Sequence, residues 1–293
     1  MSDFIDNFAQ YLQAKEASPK TVVNYLSDLR HFARWFAASN GQQLALIEIT
    51  PTDVREYKGY LLNVERRLPA TINRRLTTIR RLCVWAKHEG LIADNPTEDV
   101  KGVERTRMAP HSLEKKEADR LIRYAERQGN KRNLAILQVL KNTGLRVGEL
   151  CNLRLGDITI AERKGQVAVR SGKGGKYRVV PLNLDARKAL GAYLEVRPKV
   201  EDDHVFIGQR DEGLRPTGVY DIVVNYARGA GLENVSPHIL RHTFGKQALE
   251  SGENLVMVAA LLGHSRLDTT AIYTEPSQQD LEKAVEKLAV GGK

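Results

Sequence analysis

Only two cysteines, Cys83 and Cys151, occur in the 293 residues, and each falls inside an apolar helical pattern. Neither a disulfide framework nor a cysteine metal centre is therefore expected, and both thiols read as small core hydrophobes. Long apolar runs are also missing. The longest, LVMVAALL at 255–262, is far shorter than the roughly 20 residues that span a bilayer. The N-terminal stretch MSDFIDNFAQYLQAKEASPK carries acids where a secretory leader is basic, and no clean apolar segment precedes a small-residue cleavage site. A cytoplasmic protein without membrane contact is expected. Acid is absent from one stretch, Arg66 to His88, which holds six arginines and one lysine.

What the chain does have is an excess of base. Lys and Arg number 45 against 36 Asp and Glu, a net charge of +9 with a pI near 9.5, so a polyanion is a plausible partner. Charge alone leaves nucleic acid, an anionic membrane surface and an acidic protein open. With 42% hydrophobic residues the chain has enough apolar material for two cores. KGVERTRMAPHS, residues 101–112, has Gly, Pro, several basic residues and little periodicity, and reads as an interdomain linker. A helical domain over 1–100 and a second domain over 113–293 are expected on either side. Divided at Met108 the halves carry +3 and +6, both basic, as a clamp around a polyanion requires.

The first domain reads as capped helices. SPKTVVNYLSDLRHFARWF opens with Ser18 as N-cap and Pro19 at the first helical position, and sets Val22, Leu26, Leu29, Phe32 and Phe36 on one stripe. TPTDVREYKGYLL follows, capped by Thr50 or Thr52, with Val54, Tyr57 and Leu61 inward. A third helix begins at Pro69, with Ile72, Leu76, Ile79, Cys83 and Ala86 in one arc and Arg74 and Arg81 opposite. A surface helix ordinarily mixes charge signs. This one-sided run points to duplex DNA, with Arg74, Arg75, Arg81 and Lys87 as the candidate contacts.

The second domain opens with SLEKKEADRLIRYAERQ, capped by Ser112, and KRNLAILQVLKNTG, closed by Gly144. GQVAVRSGKGGKYRVVPL then reads as a β-hairpin with a Gly-rich turn, and helices resume from DARKALGAYLEV. The expected class is mostly α with a small antiparallel sheet, an α+β second domain.

Four stretches could carry chemistry, and each has a plainer reading. In NTGLRVGEL, Arg146 and Glu149 share a face near a helix start, where an ordinary ion pair contributes only a few tenths of a kcal/mol, on the order of other surface pairs. Lys173 stands at the tip of SGKGGKYR, open enough to reach a phosphate oxygen, although a hairpin lysine commonly only aids solubility. The G-x-x-x-x-G-K-[ST] spacing of a P-loop is absent. In SPHILRHTFG, His238 and Arg241 lie at i and i+3 in the first turns of a helix, where the dipole favours an anion. No H-E-x-x-H or cysteine cluster accompanies them, so no metal is expected. LLGHSRLDTTAIYT places His264 just after a helix-ending Gly263 and Tyr273 nine residues on, a setting where most tyrosines are buried rings.

Taken together these residues suit a pentavalent phosphate. Arginine forks bind non-bridging oxygens and a lysine can protonate a leaving oxygen; without a Mg²⁺-binding carboxylate cluster such a site needs a protein nucleophile and no cofactor. Tyr273 is the candidate.

This order of motifs resembles the tyrosine recombinase family, the phage-integrase and Xer type. The likeness spans nearly the whole chain through TGLRVGEL, SGKGGKYRVVPL, HILRHTFG and LLGHSRLDTTAIYT, and more weakly through SPKTVVNYLSDLRHFARWF. It implies a helical SAM-like core-binding domain followed by a catalytic domain. Arg146, Arg241 and His264 would bind the scissile phosphate. Lys173 would be the general acid on the 5′-oxygen, with Lys176 a rival. His238 would bind phosphate or act as general base, Glu149 would buttress the arginine, and Tyr273 would form a 3′-phosphotyrosine. The resemblance further implies a homotetramer on two double-stranded DNA sites, with a Holliday junction intermediate. An exchange helix from about residue 277, SQQDLEKAVEKLAV, would dock on a neighbouring protomer. One departure is YTEPS, where many relatives have Thr-His after the tyrosine; Pro276 is expected to end the tyrosine helix. The competing expectations are a type IB topoisomerase and a DNA-binding protein of the same fold that has lost its chemistry.

Overall fold

A computed structural model describes residues 3–104, 111–170, 177–263 and residue 270. The chain divides into two compact units, Met1–Arg107 and Met108–Lys293, each with its own core.

The first unit is helical: α1 (Asp3–Ala14), α2 (Pro19–Asn40), α3 (Pro51–Gly59) and α4 (Pro69–His88), with α3 running on into a π-helical turn at Tyr60–Val64. The caps expected from sequence are present. The Ser18 hydroxyl accepts from Thr21 N–H, with Pro19 following. Of the two threonines offered for α3, Thr50 is the cap: its hydroxyl accepts from Asp53 N–H at 3.2 Å, and its own N–H donates to the Asp53 carboxylate at 2.8 Å. Val22, Leu29, Phe32 and Phe36 are buried as their spacing requires, and Leu26 is half-buried at the margin of the same stripe.

Helix α4 buries more of its circumference than one arc. Beside Ile72, Leu76, Ile79, Cys83 and Ala86 it buries Thr78, Leu82 and Trp85, because α2, α3 and the π-helical turn all pack against it. Its basic residues consequently differ in exposure. Arg81 is exposed over the Tyr25 ring, its guanidinium 5.7 Å from the centroid, and Lys87 is exposed beside Asp94. Arg74 is half-exposed and pairs with the buried Asp28, which also accepts from Thr78 at 3.0 Å. Arg75 differs from the exposed set proposed on sequence. Its side chain is 11% exposed and bonds Glu65 at 3.2 Å, while His31 bridges the same carboxylate and Tyr57 at 2.8 Å each. Residues 101–104 stay with this unit through Asn73, which donates to Val103 O and accepts from Val103 N–H, each at 2.8 Å.

The second unit runs α5 (Lys115–Gln128), α6 (Lys131–Thr143), α7 (Val147–Cys151), β1 (Ile158–Ile160), β2 (Gly165–Val169), β3 (Arg178–Pro181), α8 (Leu184–Leu194), α9 (Pro216–Gly229), α10 (Pro237–Glu250) and α11 (Leu255–Leu262). Ser112 does not cap α5. Leu113 is buried with its N–H on Thr243 Oγ1 at 2.9 Å, so the chain stays extended there and the cap falls at Glu114, whose N–H donates to Glu117. The expected hairpin is β2–β3, with Val167 opposite Val180. A further strand, β1, completes an antiparallel order β1–β2–β3; at three residues with one half-covered face it left little pattern to read. Val167, Val169 and Val180 face the core formed with α6 and α8. Cys83 and Cys151 are both buried and free, and burial pushes their thiols up to about 12 and about 11. No helix among the described residues is long and apolar enough to cross a membrane.

The ion cluster of the first unit sets an acid dependence. Burial tends to raise the Glu65 carboxyl, but the hydrogen bonds from Arg67 and His31 outweigh it and hold the group at about 2. The ordinary value is 4.5, so the unfolded carboxylate takes its proton first; the stabilisation is whole above pH 4.5 and is lost as the pH falls towards 2. Glu65→Gln should therefore lower the urea midpoint at neutral pH and flatten its decline between pH 4.5 and 2, read by denaturation monitored at the tryptophans.

Candidate active site

The site is built around the end of α11. Gly263 ends that helix in the left-handed region at φ 66°, its N–H closing on Ala259 and Ala260, and the last carbonyls of the helix, Leu261, Leu262 and Gly263, lie at its C-terminal face. Each receives an arginine from a different part of the chain. Arg178 Nε donates to Leu261 O at 3.2 Å, Arg241 Nη2 to Leu262 O at 2.8 Å, and Arg146 Nη2 to Gly263 O at 3.3 Å. The helix C-terminus carries partial negative charge, so it is a favourable place to gather cations.

Arg146 reaches this point from the N-cap of α7. Its backbone N–H is held by Glu149 Oε2 at 2.8 Å and its Nη1 by Glu149 Oε1 at 2.9 Å, while its side chain stays 46% exposed. Arg241, in the second turn of α10, is buried at 3% and also donates Nη1 to Gly144 O at 2.5 Å. Gly144 must be glycine. It sits at φ 60°, and a Cβ there would meet the Phe244 ring at 2.5 Å and Leu262 at 2.6 Å. Gly263 is constrained likewise, since a Cβ would stand 2.8 Å from the Arg178 guanidinium carbon.

Glu149 is the buried carboxylate of the group. Beside Arg146 it accepts both Nη atoms of Arg178, each at 2.8 Å, in fork geometry. Burial pushes its carboxyl up, but Arg178 and the Arg146 backbone N–H hold it below the ordinary glutamate value. His238 lies on the exposed side of α10, its ring 4.1 Å from that of the buried His242 in an edge-on contact. Partial desolvation, then the charges of Arg241 and Arg146, hold its pKa below 6.5.

Four of the residues read from sequence thus come together: Arg146, Glu149, His238 and Arg241. Lys173 and its rival Lys176, His264, Tyr273 and the helix from about 277 lie outside the described residues. Arg178 was not singled out from sequence, although it opens β3 within SGKGGKYRVVPL. Its signal was weak: a lone arginine in an alternating strand.

Comparison with known proteins settles the family. Residues 111–280 match the phage integrase family model, and residues 5–90 match the phage integrase N-terminal SAM-like domain. The chain belongs to the phage integrase family. It is 34% identical to tyrosine recombinase XerC of Corynebacterium efficiens, over 97% of this chain and 90% of that protein. Its fold is that of XerH recombinase in a post-cleavage complex with palindromic difH substrate, at TM-score 0.78 and 23% identity over 96% of this chain and 83% of that one. The fold is likewise that of a lambda integrase tetramer bound to a Holliday junction, at TM-score 0.72 and 20% identity over 92% and 76%. The protein is a tyrosine recombinase, an enzyme of site-specific DNA cleavage and rejoining. Neither the topoisomerase nor the silent binder is favoured by such relatives.

In this recombinase His238 titrates under the influence of its neighbours. Because its folded pKa lies below 6.5, the unfolded chain takes this proton first and stability falls as the pH drops below 6.5. Arg146→Ala removes one of the cations that depress it. The His238 ring resonances, followed by NMR titration, should then show a higher pKa than in the unaltered protein; an unchanged value would mean that Arg146 does not act on the ring.

Proposed function

We propose that this recombinase breaks and rejoins duplex DNA through a 3′-phosphotyrosine on Tyr273, at a phosphate held by Arg146, Arg241 and His264. The observation that carries the reading is the convergence of guanidinium groups on the peptide that leads directly into His264. Arg146 keeps its outer face open, and Arg241 is fixed behind it by two main-chain carbonyls, so two guanidinium charges of fixed position face the same place. Preorganised guanidinium groups of this kind stabilise charge that develops on a pentavalent phosphorus without rearranging as it forms.

The step balances as a transesterification. The Tyr273 oxygen attacks phosphorus and forms the P–O bond of a 3′-phosphotyrosine as the bond to the 5′-oxygen breaks. His238 binds the phosphate or takes the tyrosine proton; its lowered pKa leaves it neutral, and able to accept, at pH 7. Lys173 protonates the departing 5′-oxygen. A 5′-hydroxyl from a second duplex then attacks the phosphotyrosine, restores the tyrosine and joins the new strand. The ester keeps the energy of the broken bond, so the cycle uses no nucleotide and no metal.

The first unit contacts DNA through its exposed cations, Arg74, Arg81 and Lys87, with Arg75 held behind them by Glu65. The amphipathic segment from residue 277 docks on a second protomer, giving a homotetramer on two sites that passes through a Holliday junction. Strand exchange of this kind serves dimer or cointegrate resolution, or integration and excision, in the cytoplasm at the nucleoid.

The test is a nicked suicide duplex built on a site selected from random DNA by the protein itself. Covalent protein–DNA should accumulate with the unaltered chain and vanish with Tyr273→Phe. Absence of trapping on the selected site, or trapping that survives Tyr273→Phe, overturns the assignment. For the assembly, deletion from Ser277 onward should leave duplex binding intact and abolish cooperativity in a gel-shift titration; unchanged cooperativity rules out docking in trans.

A further inference from the structure

We infer that Arg178 is a positioning residue of the strand-exchange site, tying the hairpin strand, Glu149 and the turn before His264 into one rigid unit. The inference rests on the phosphate-site reading above.

Three contacts support it. Both Nη atoms of Arg178 engage the two oxygens of Glu149 at 2.8 Å, and its Nε donates to Leu261 O at 3.2 Å. One planar group therefore engages all three of its nitrogens with two separate elements, and its side chain is only 14% exposed. The same carboxylate holds Arg146 through its backbone and its guanidinium, so the orientation of Arg146 depends on where Arg178 keeps Glu149. The third contact is steric: the guanidinium lies where a Cβ of residue 263 would be, and the glycine admits it.

Arg178 also stands two residues beyond Lys176 and five beyond Lys173. It is a described anchor on the C-terminal side of the segment that carries both lysines. A displaced anchor shifts Glu149 with Arg146, and the peptide of Leu261 to Gly263, at once. Its guanidinium donates to a carboxylate and a carbonyl of the protein, so its effect on the reaction runs through those groups. Loss should therefore slow the chemical step and leave DNA affinity unaltered.

Charge and geometry can be separated. Lysine supplies the positive charge but only one nitrogen, which cannot bridge both Glu149 oxygens and Leu261 O together. The deciding measurement is single-turnover covalent trapping on the suicide duplex, alongside gel-shift affinity and thermal melting, for the unaltered protein, Arg178→Lys, Arg178→Met, Glu149→Gln and the double variant Arg178→Lys with Glu149→Gln. Expected are unchanged DNA affinity and a trapping rate down by about 100-fold in Arg178→Lys, the scale of a misplacement near 1 Å. In the Glu149→Gln background the same substitution should slow trapping much less, because Arg178 acts through that carboxylate. Arg178→Met reports the loss of charge; if it fails to fold, Arg178→Lys still decides.

Arg178→Lys trapping at the unaltered rate, or losses that multiply independently in the double variant, would overturn the inference. Failure of the unaltered protein to trap DNA would instead overturn the phosphate-site reading beneath it.

Discussion

Three consecutive main-chain carbonyls at the end of one helix hold the catalytic unit's arginines in place. The α11 helix stops at Gly263, and its last acceptors are filled by Arg178, Arg241 and Arg146 in order along the chain. A helix end must find donors for these oxygens or expose them to water. Here the donors are cations, and the fractional negative charge of the helix terminus offsets part of their mutual repulsion. The buried carboxylate of Glu149 offsets more, serving two arginines at once. The result is a dense cluster of three guanidinium groups around one buried carboxylate.

This arrangement explains which glycines are required. At Gly144 and Gly263 the backbone is left-handed and a neighbouring side chain occupies the space of the missing Cβ. At Gly144 those neighbours are Phe244 and Leu262, and its own carbonyl accepts from Arg241; at Gly263 the neighbour is Arg178 itself. The apolar core beneath, formed by α6, α8, α10 and the sheet, sets the distances between these turns.

Much of this was legible in sequence, for reasons local to each segment. Ser18 before Pro19, Thr50 before Pro51, and the glycines after α6 and α11 mark helix ends by chemistry that acts over three or four residues. The convergence of Arg146, Glu149, His238 and Arg241 followed from motif order and family likeness. What escaped were pairings between distant segments. Arg178 meets Glu149 across 29 residues of chain, and nothing in either motif names the other. Leu113 is anchored to Thr243 across 130 residues, which moved the start of α5 beyond Ser112. Arg75 is a different case: it lies three residues after Ile72 and four before Ile79, both fully buried, so its helical position already placed it on the flank of the core. Its counter-charges on other elements were the hidden part.

The reach of the three carbonyl contacts bears on how the molecule is made. They join residues 21, 83 and 117 positions apart, all to a peptide near the end of the catalytic unit. Until residues 261–263 have been synthesised, Glu149 can hold Arg146 and Arg178, but the carbonyls that bring Arg241 alongside them are missing. A chain that stops short of this helix end lacks the contacts that fix all three guanidinium groups relative to one another. The helix end thus acts as a late clasp: the three guanidinium groups take their shared arrangement only once the chain has been made as far as Gly263.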